Sequence, residues 1–530
     1  MPFILRPFAL TQKASLILCW YAPQGLLVTG LAHRDLKQSL TGHQQHDEET
    51  EDSTATIDEG DVYTQNDHYP PFPLVSEQID DRVEDFIASI DKEAVCLLAS
   101  QHNGQKPCSI TKQMNGSFNV CFFALFDDGT MWVVRIPLEP VVQDSWIKVQ
   151  SEVATMRFIK SKTTIPIPRV YGYGQSTQLT KRGALTTFMI CDFVPGQSLC
   201  FDDVSNATTE TRTRFLGELV DILIQLRRLE FPAAGSLMPN LVDDSEPIVG
   251  GFLGMAINEL QRDTSKKENL MSFSSAKAFM DHQYYILSEY YAVPLASLQR
   301  ASIEEQLFIL NSLAEEIPKL LESQWSNGPF VLSHLDLRCS NIVVDEDLHI
   351  LGIIDWEFSG TVPLQYFTPP LWITGEGRSG AFLSFQDAIF QDFEALLQAK
   401  SVTSEGCAQL MREWDWGNKR KLMFPIVQIL REPDTLVRVY RRHLCQRFYG
   451  GSLSLKEVVS NFFTHHETAK KLEPVLRHRL EGSKRYTEYL IHHDLLDTDE
   501  DEEYEATERL ALLKKGVVEF GAGKPTNATN

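Results

Sequence analysis

The stretch from Phe330 to Glu357 constrains this chain more than any other. Ile342 to Val344 and His349 to Ile354 are short apolar runs separated by the charged turn Asp345-Glu346-Asp347. That is the pattern of an antiparallel hairpin, centred here near Leu348. In such a hairpin the residue entering the first strand lies beside the residue leaving the second. Asn341 and Asp355, fourteen positions apart, are therefore expected to converge. An amide oxygen and a carboxylate side by side are hard ligands of the kind Mg²⁺ accepts, with water and phosphate oxygens completing its shell. Asp336, five residues before Asn341, is then close enough to take a proton from an acceptor hydroxyl. Any one of these residues alone also reads as a turn carboxylate or a strand cap. Taken together, H-x-D-x4-N followed by an apolar strand and Asp is a layout for phosphoryl transfer, in which the protein positions groups and neutralises charge.

What precedes this stretch is consistent with that layout. A helical pattern at Ile79 to Ile90 leads into apolar, β-branched runs at Phe118 to Phe126 and Met131 to Ile136, joined by the turn Asp127-Asp128-Gly129. Asp-Gly tolerates the positive φ of a tight hairpin. Ser151 to Lys160 reads as a helix, Pro166 to Tyr173 as extended, and Thr186 to Phe193 as a strand ending at Pro195-Gly196. Beyond it, Phe215, Leu219, Leu223, Leu226 and Leu229 recur at helical spacing, and a second helix is expected from Ile303 to Trp325. A small β-rich unit followed by a larger helical one predicts an α+β chain of two lobes. The expected segments are a tail and acidic linker (1–75), an N-lobe (76–195), a C-lobe (196–490) and an acidic C-terminal segment (491–530).

With these residues in place, the chain resembles the aminoglycoside phosphotransferase-like family, fungal-type members included, within the protein-kinase-like fold. The resemblance spans about Cys96 to Trp372 and is carried by His334-Leu335-Asp336 through Asn341 and by Ile354-Asp355-Trp356-Glu357. The family reads H-G-D or H-x-D at the first and I-D-W or I-D-F at the second. The resemblance implies a two-lobed fold, a small β-rich N-lobe and a larger, mainly helical C-lobe, with ATP between them. It implies Asp336 as catalytic base, Mg²⁺ on Asn341 and Asp355, and His334 supporting the catalytic loop. Gly116 and Ser117 fall where a nucleotide-covering loop belongs, although a simple turn fits them equally. The backbone around Cys191 to Phe193 falls at the adenine edge. Arg135 stands where kinases carry a phosphate-binding Lys, with Glu152 in the next helix as its partner; a surface ion pair is the other reading of these two. Arg pairs bidentately with carboxylates, but its planar head does not replace an ammonium. Trp356 is expected to pack in the lobe floor; Glu357 has two readings, reaching the metal or its water or, slightly favoured, facing solvent.

The function so implied is an ATP- and Mg²⁺-dependent phosphotransferase acting on a hydroxyl of a small molecule. Two rivals stand beside it. Arg135 and the sparse glycine loop fit a nucleotide-binding protein that has lost catalysis. A protein kinase would show D-F-G and a later A-P-E, and neither follows Asp355. The short run from Asp355 to Pro369-Pro370 leaves little room for an activation loop, which favours a small-molecule acceptor beside the helical lobe. The family resemblance points to a cationic acceptor, an amino sugar or amino alcohol.

Seventeen of the carboxylates behind the formal net charge of −23 sit in two unopposed runs, eight from Asp47 to Asp61 and nine from Asp494 to Glu508. Such runs repel themselves and stay solvated, and they disfavour nucleic acid and anionic membranes as partners. Stable membrane insertion is not expected. Removal of residues before about Val75 is expected to leave stability and nucleotide binding nearly unchanged. The nine cysteines include no C-x-x-C pair, which fits reduced thiols and a cytoplasmic chain. The first 34 residues lack acid and carry Arg6, Lys13 and Arg34, so a mitochondrial presequence is the alternative.

Overall fold

The computed structural model describes residues 72–243, 246–264, 270–374, 383–414, 420–450 and 453–496. The N-terminal 34 residues, the run from Asp47 to Asp61 and, apart from Asp494, the carboxylates of the second acidic run lie outside the described residues.

Five strands, β1 (Cys108–Asn115), β2 (Asn119–Phe126), β3 (Met131–Pro137), β4 (Val170–Ser176) and β5 (Thr186–Asp192), form an antiparallel sheet in the order β1-β2-β3-β5-β4. The predicted hairpin is β2–β3. Gly129 takes φ +82° in its turn and donates to the Phe126 carbonyl at 2.9 Å, a conformation an L side chain rarely adopts. β1 escaped the hydrophobic pattern because it is an edge strand rich in polar residues, Ser109, Thr111, Lys112 and Gln113 among them. Two helices precede the sheet, α1 (Ser76–Ser89) and α2 (Lys92–His102). Val95 and Ala99 of α2 share a core with Val120, Phe122 and Val134 of the sheet. The next helix, α3 (Ser145–Lys162), starts six residues earlier than periodicity predicts. Its start is set by a cap: the Asp144 carboxylate accepts from the Ile147 N–H at 2.9 Å.

The chain leaves β5 through Gly196, at φ +127°, where an added Cβ would stand 2.5 Å from the Val344 carbonyl oxygen. Gln197–Ser198 then pairs with Ile342–Val344, which pairs in turn with Ile350–Ile353. This is the expected hairpin, with Ile342 opposite Ile353. Its turn is tied by Asp345, whose carboxylate accepts from the N–H groups of Asp347 (3.0 Å) and His349 (2.8 Å), so Asp345 is a turn residue. The helix Thr209–Arg227 buries Phe215, Leu219, Leu223 and Leu226 as its spacing predicts. The helix Arg300–Leu320 lies against the last helix, Glu467–His492, through Ile303, Leu307 and Leu476. Phe330–Ser333 is the centre of a small sheet, flanked by Gly360–Pro363 and Glu230–Phe231. The architecture is α+β in two lobes, an N-terminal antiparallel sheet and a mainly helical C-terminal part, as read from the sequence. Among the described residues no helix is long and apolar enough to cross a membrane.

Candidate active site

Phe330–Ser333 delivers the chain to His334, which is 5% exposed. Its Nε2–H donates to the Ile354 carbonyl at 3.0 Å, and its ring lies 4.6 Å from that of Trp356. Burial pushes the imidazole pKa down to about 4, against the pull of the Ile354 carbonyl, so the ring is neutral. One neutral side chain thus ties the loop after Phe330–Ser333 to the strand end that precedes Asp355.

The loop folds back on itself at Asn341. Its Nδ2 donates to the Asp336 backbone carbonyl at 2.8 Å and lies 3.3 Å from Asp336 Oδ2, leaving the amide oxygen as an available ligand. The Asn341 carbonyl accepts from the Ile354 N–H at 3.0 Å, which brings Asn341 next to the segment carrying Asp355. Asp336 itself is half-buried, and Arg338 donates to its Oδ2 at 2.6 Å. Burial raises the Asp336 pKa to about 7; Arg338 works against this and the charge of Asp355 adds to it. A carboxyl poised near neutrality suits a general base. Asp355 adopts φ +66°, an uncommon conformation for a non-glycine residue and one often met at functional sites.

Asp355 does not stand alone. The Arg135 guanidinium on β3 donates to its Oδ1 and, through the other nitrogen, to Glu152 Oε1 of α3 at 2.5 Å. Burial works against the Asp355 charge but is outweighed by Arg135, then Lys148 and Arg338, so its pKa lies below the usual carboxylate range. Arg135 and Glu152 are not a surface pair; the Glu152 side chain is 1% exposed. Glu357 also departs from expectation. It is 5% exposed and turns inward, accepting from Asn119 Nδ2 at 2.8 Å, pairing with Lys148, and lying 3.7 Å from Arg135. Sequence reasoning passed over Lys148. It sits one helical turn before Glu152, on the same face of α3, and that i, i+4 spacing was the available signal.

The remaining predicted residues lie around this centre at greater distance. Gly116 is exposed at the β1–β2 turn, beside the half-buried Ser117; a Cβ there would meet nothing within 4 Å. Neither crowding nor a positive φ therefore requires glycine at that turn. Cys191 is buried in β5, paired with Val133 and Val170 on either side. Phe193 follows the strand and packs edge-on against Phe123, ring centroids 5.7 Å apart. With Val343 they form a small apolar cluster flanked by Cys121, Val133, Leu351 and Ile354, at the seam between the sheet and the hairpin.

On the other side of Asp336 opens a small cleft, partly open to solvent. Leu337, Phe367, Leu371 and Trp372 line it, as do His334 and Asp336 from the loop. Among the described residues no group of three or more His, Cys, Asp and Glu is placed to hold a metal ion. Asn341 and Asp355 are a two-ligand set, which fits the preference of Mg²⁺ for few protein ligands and a shell otherwise made of water and phosphate oxygens.

The fold and this constellation define an α+β unit of two lobes, an antiparallel sheet and a mainly helical part joined at the loop and hairpin that carry Asp336, Asn341 and Asp355. Residues 117–366 match the model of the phosphotransferase enzyme family (APH). Among characterised relatives, the chain is 23% identical over 312 residues to clavilactone A biosynthesis cluster protein Y of Ampulloclitocybe clavipes, covering 56% of this chain and 70% of that one. It is 25% identical over 308 residues to a subtelomeric hrmA-associated cluster protein of Aspergillus fumigatus, covering 48% of this chain and 58% of that protein's length. Similar solved structures include the ethanolamine kinase of Plasmodium vivax, at 16% identity, 70% and 84% coverage and a TM-score of 0.38. A thermostable mutant of aminoglycoside phosphotransferase APH(4)-Ia in ternary complex with AMP-PNP and hygromycin B aligns at 15% identity, 65% and 92% coverage and a TM-score of 0.36.

Proposed function

We propose that this chain transfers the terminal phosphoryl group of ATP to a hydroxyl group of a small molecule. The observation that carries the reading is that Asn341 binds the Asp336 carbonyl on one side and the backbone next to Asp355 on the other, with a cleft open beside Asp336. The match of residues 117–366 to the model of a phosphotransferase enzyme family supports it.

In this reading the acceptor lies in the cleft with its hydroxyl against Asp336. The carboxylate takes the hydroxyl proton as the oxygen forms its bond to the terminal phosphorus, the bond from that phosphorus to the bridging oxygen breaks, and ADP leaves. Asn341 and Asp355 would hold Mg²⁺, which when bound offsets phosphate charge. Arg135 is a second cation for the phosphates, kept near them by Glu152. The apolar cluster of Phe123, Phe193 and Val343 is the proposed floor for the adenine ring, with the backbone beyond β5 at its edge.

Binding to the native state raises its melting temperature. A thermal-shift titration with ATP is expected to give a Mg²⁺-dependent rise, and incubation with a hydroxyl-compound library is expected to give phosphoester detectable by mass spectrometry. Absence of any response to ATP with Mg²⁺ would overturn the reading.

A further inference from the structure

The cleft beside Asp336 bears on what the acceptor is. Among the described residues that line it, the carboxylates are Asp336 and Glu432 and the guanidiniums are Arg338 and Arg431. Asp336 is already paired with Arg338 at 2.6 Å, and Glu432 accepts from Gln428 Nε2 at 3.2 Å. Among the described residues the wall therefore carries no net excess of acid that would favour a polyamine. Each ammonium brought into such a place without a carboxylate of its own is strongly disfavoured. The rest of the wall is apolar and partly aromatic: Met255, Leu337, Phe367, Leu371 and Trp372.

Two donors on the wall lack partners. Arg431 lies over the Tyr366 ring, 4.8 Å from its centroid, and one terminal nitrogen donates to the Tyr366 carbonyl at 2.6 Å, yet its buried Nε–H has no acceptor. The Thr368 hydroxyl, on a residue 5% exposed, has none either. Buried polar groups in native proteins are nearly always satisfied, so unmet ones on the wall of a cleft mark places for ligand atoms.

We propose that the acceptor is a neutral, largely apolar alcohol or phenol with a ring-sized body and an oxygen atom for Arg431 or Thr368 to hold. The proposal rests on the phosphotransferase reading and narrows it. The ring lies against Trp372 and Phe367, the reacting hydroxyl faces Asp336, and a second oxygen answers the unmet donors.

The experiment uses the full chain saturated with Mg²⁺ and AMP-PNP and measures dissociation constants for compounds that share a phenol and differ in charge: tyrosol (neutral), tyramine (cationic) and 4-hydroxyphenylacetate (anionic), beside an aminocyclitol polyamine. Wild-type protein with Mg-ATP is assayed for phosphoester from the same compounds by mass spectrometry. Tyrosol is expected to bind on the order of tenfold more tightly than tyramine, since the ammonium must be desolvated against a described wall whose two carboxylates are matched by two guanidiniums. Trp372→Ala is expected to weaken tyrosol by about tenfold through lost apolar contact while leaving Mg-ATP affinity unchanged. Tyramine, 4-hydroxyphenylacetate or the polyamine binding as tightly as tyrosol, or no saturable tyrosol binding by a protein that binds Mg-ATP, overturns the acceptor class and leaves the phosphotransferase reading standing. Failure to bind Mg-ATP at all removes both.

Discussion

Asp336 illustrates how surroundings give one carboxyl its chemistry. On the surface it would be ionised at any physiological pH; half-buried and near Asp355, its pKa rises to about 7 despite Arg338. The base form is the ionised one, so activity limited by this group is expected to fall on the acid side as pH drops through about 7 and to level off above it. A profile of kcat/KM against pH checks this, and a rate flat from pH 5 to 8 would remove Asp336 from that role. Asp336→Asn keeps the shape without the base, and it is expected to lower kcat by about 10²-fold or more with the Mg-ATP affinity little changed. Glu357 teaches the opposite lesson. Nothing in its immediate neighbours distinguishes it from a solvent-facing acid, yet it holds Asn119 and Lys148 from the other lobe. Because Glu357→Gln leaves the buried Lys148 charge without a carboxylate, a loss of about 2–3 kcal/mol in urea unfolding is expected.

At the scale of elements, β3, α3 and the segment after the hairpin meet through Arg135. The guanidinium has its planar fork shared between Glu152 and Asp355, a geometry that a lysine ammonium cannot span in the same way. Glu152→Gln breaks the buried side of that bridge. Since Asp355 and Glu357 still surround Arg135, the cost is expected near the lower end of the range for breaking a buried pair, about 3 kcal/mol. Equilibrium urea unfolding measures it; a change under about 0.5 kcal/mol, the scale of an ordinary surface substitution, would show that the bridge does not hold α3. Of these elements, β2, β3 and the hairpin after Asn341 were legible in the sequence, because each is a local alternation or apolar run closed by a turn residue. β1 was not, since an edge strand that is half polar has no such pattern. The true start of α3 was missed because a capping bond, and not the apolar periodicity, sets it.

Across the whole molecule, the first described residues and the last helix come together. Phe72 packs against Tyr486 and Tyr489, each ring centroid 5.2 Å away, and the Pro73 carbonyl accepts from the Tyr486 hydroxyl at 3.0 Å. This packing runs against the expectation that residues before about Val75 add little to stability: Phe72→Ala is expected to cost about 1–2 kcal/mol, given the partial burial of the ring, read as a lower melting temperature with Mg-ATP binding intact. By itself the sequence determined the two-lobed α+β plan and the order of the loop residues His334, Asp336, Asn341 and Asp355, because spacing along the chain decides which ends of a hairpin meet. Only the tertiary structure decided that Arg135 reaches Asp355 across 220 positions and that Asn119 reaches Glu357 across 238. It also decided that, among the described residues, Leu337, Phe367 and Trp372 line the cleft with apolar surface while Arg338 and Arg431 match Asp336 and Glu432 in charge. Whether a polar side chain is buried, and against which charge, depends on elements packed from distant parts of the chain, and no local periodicity carries that information.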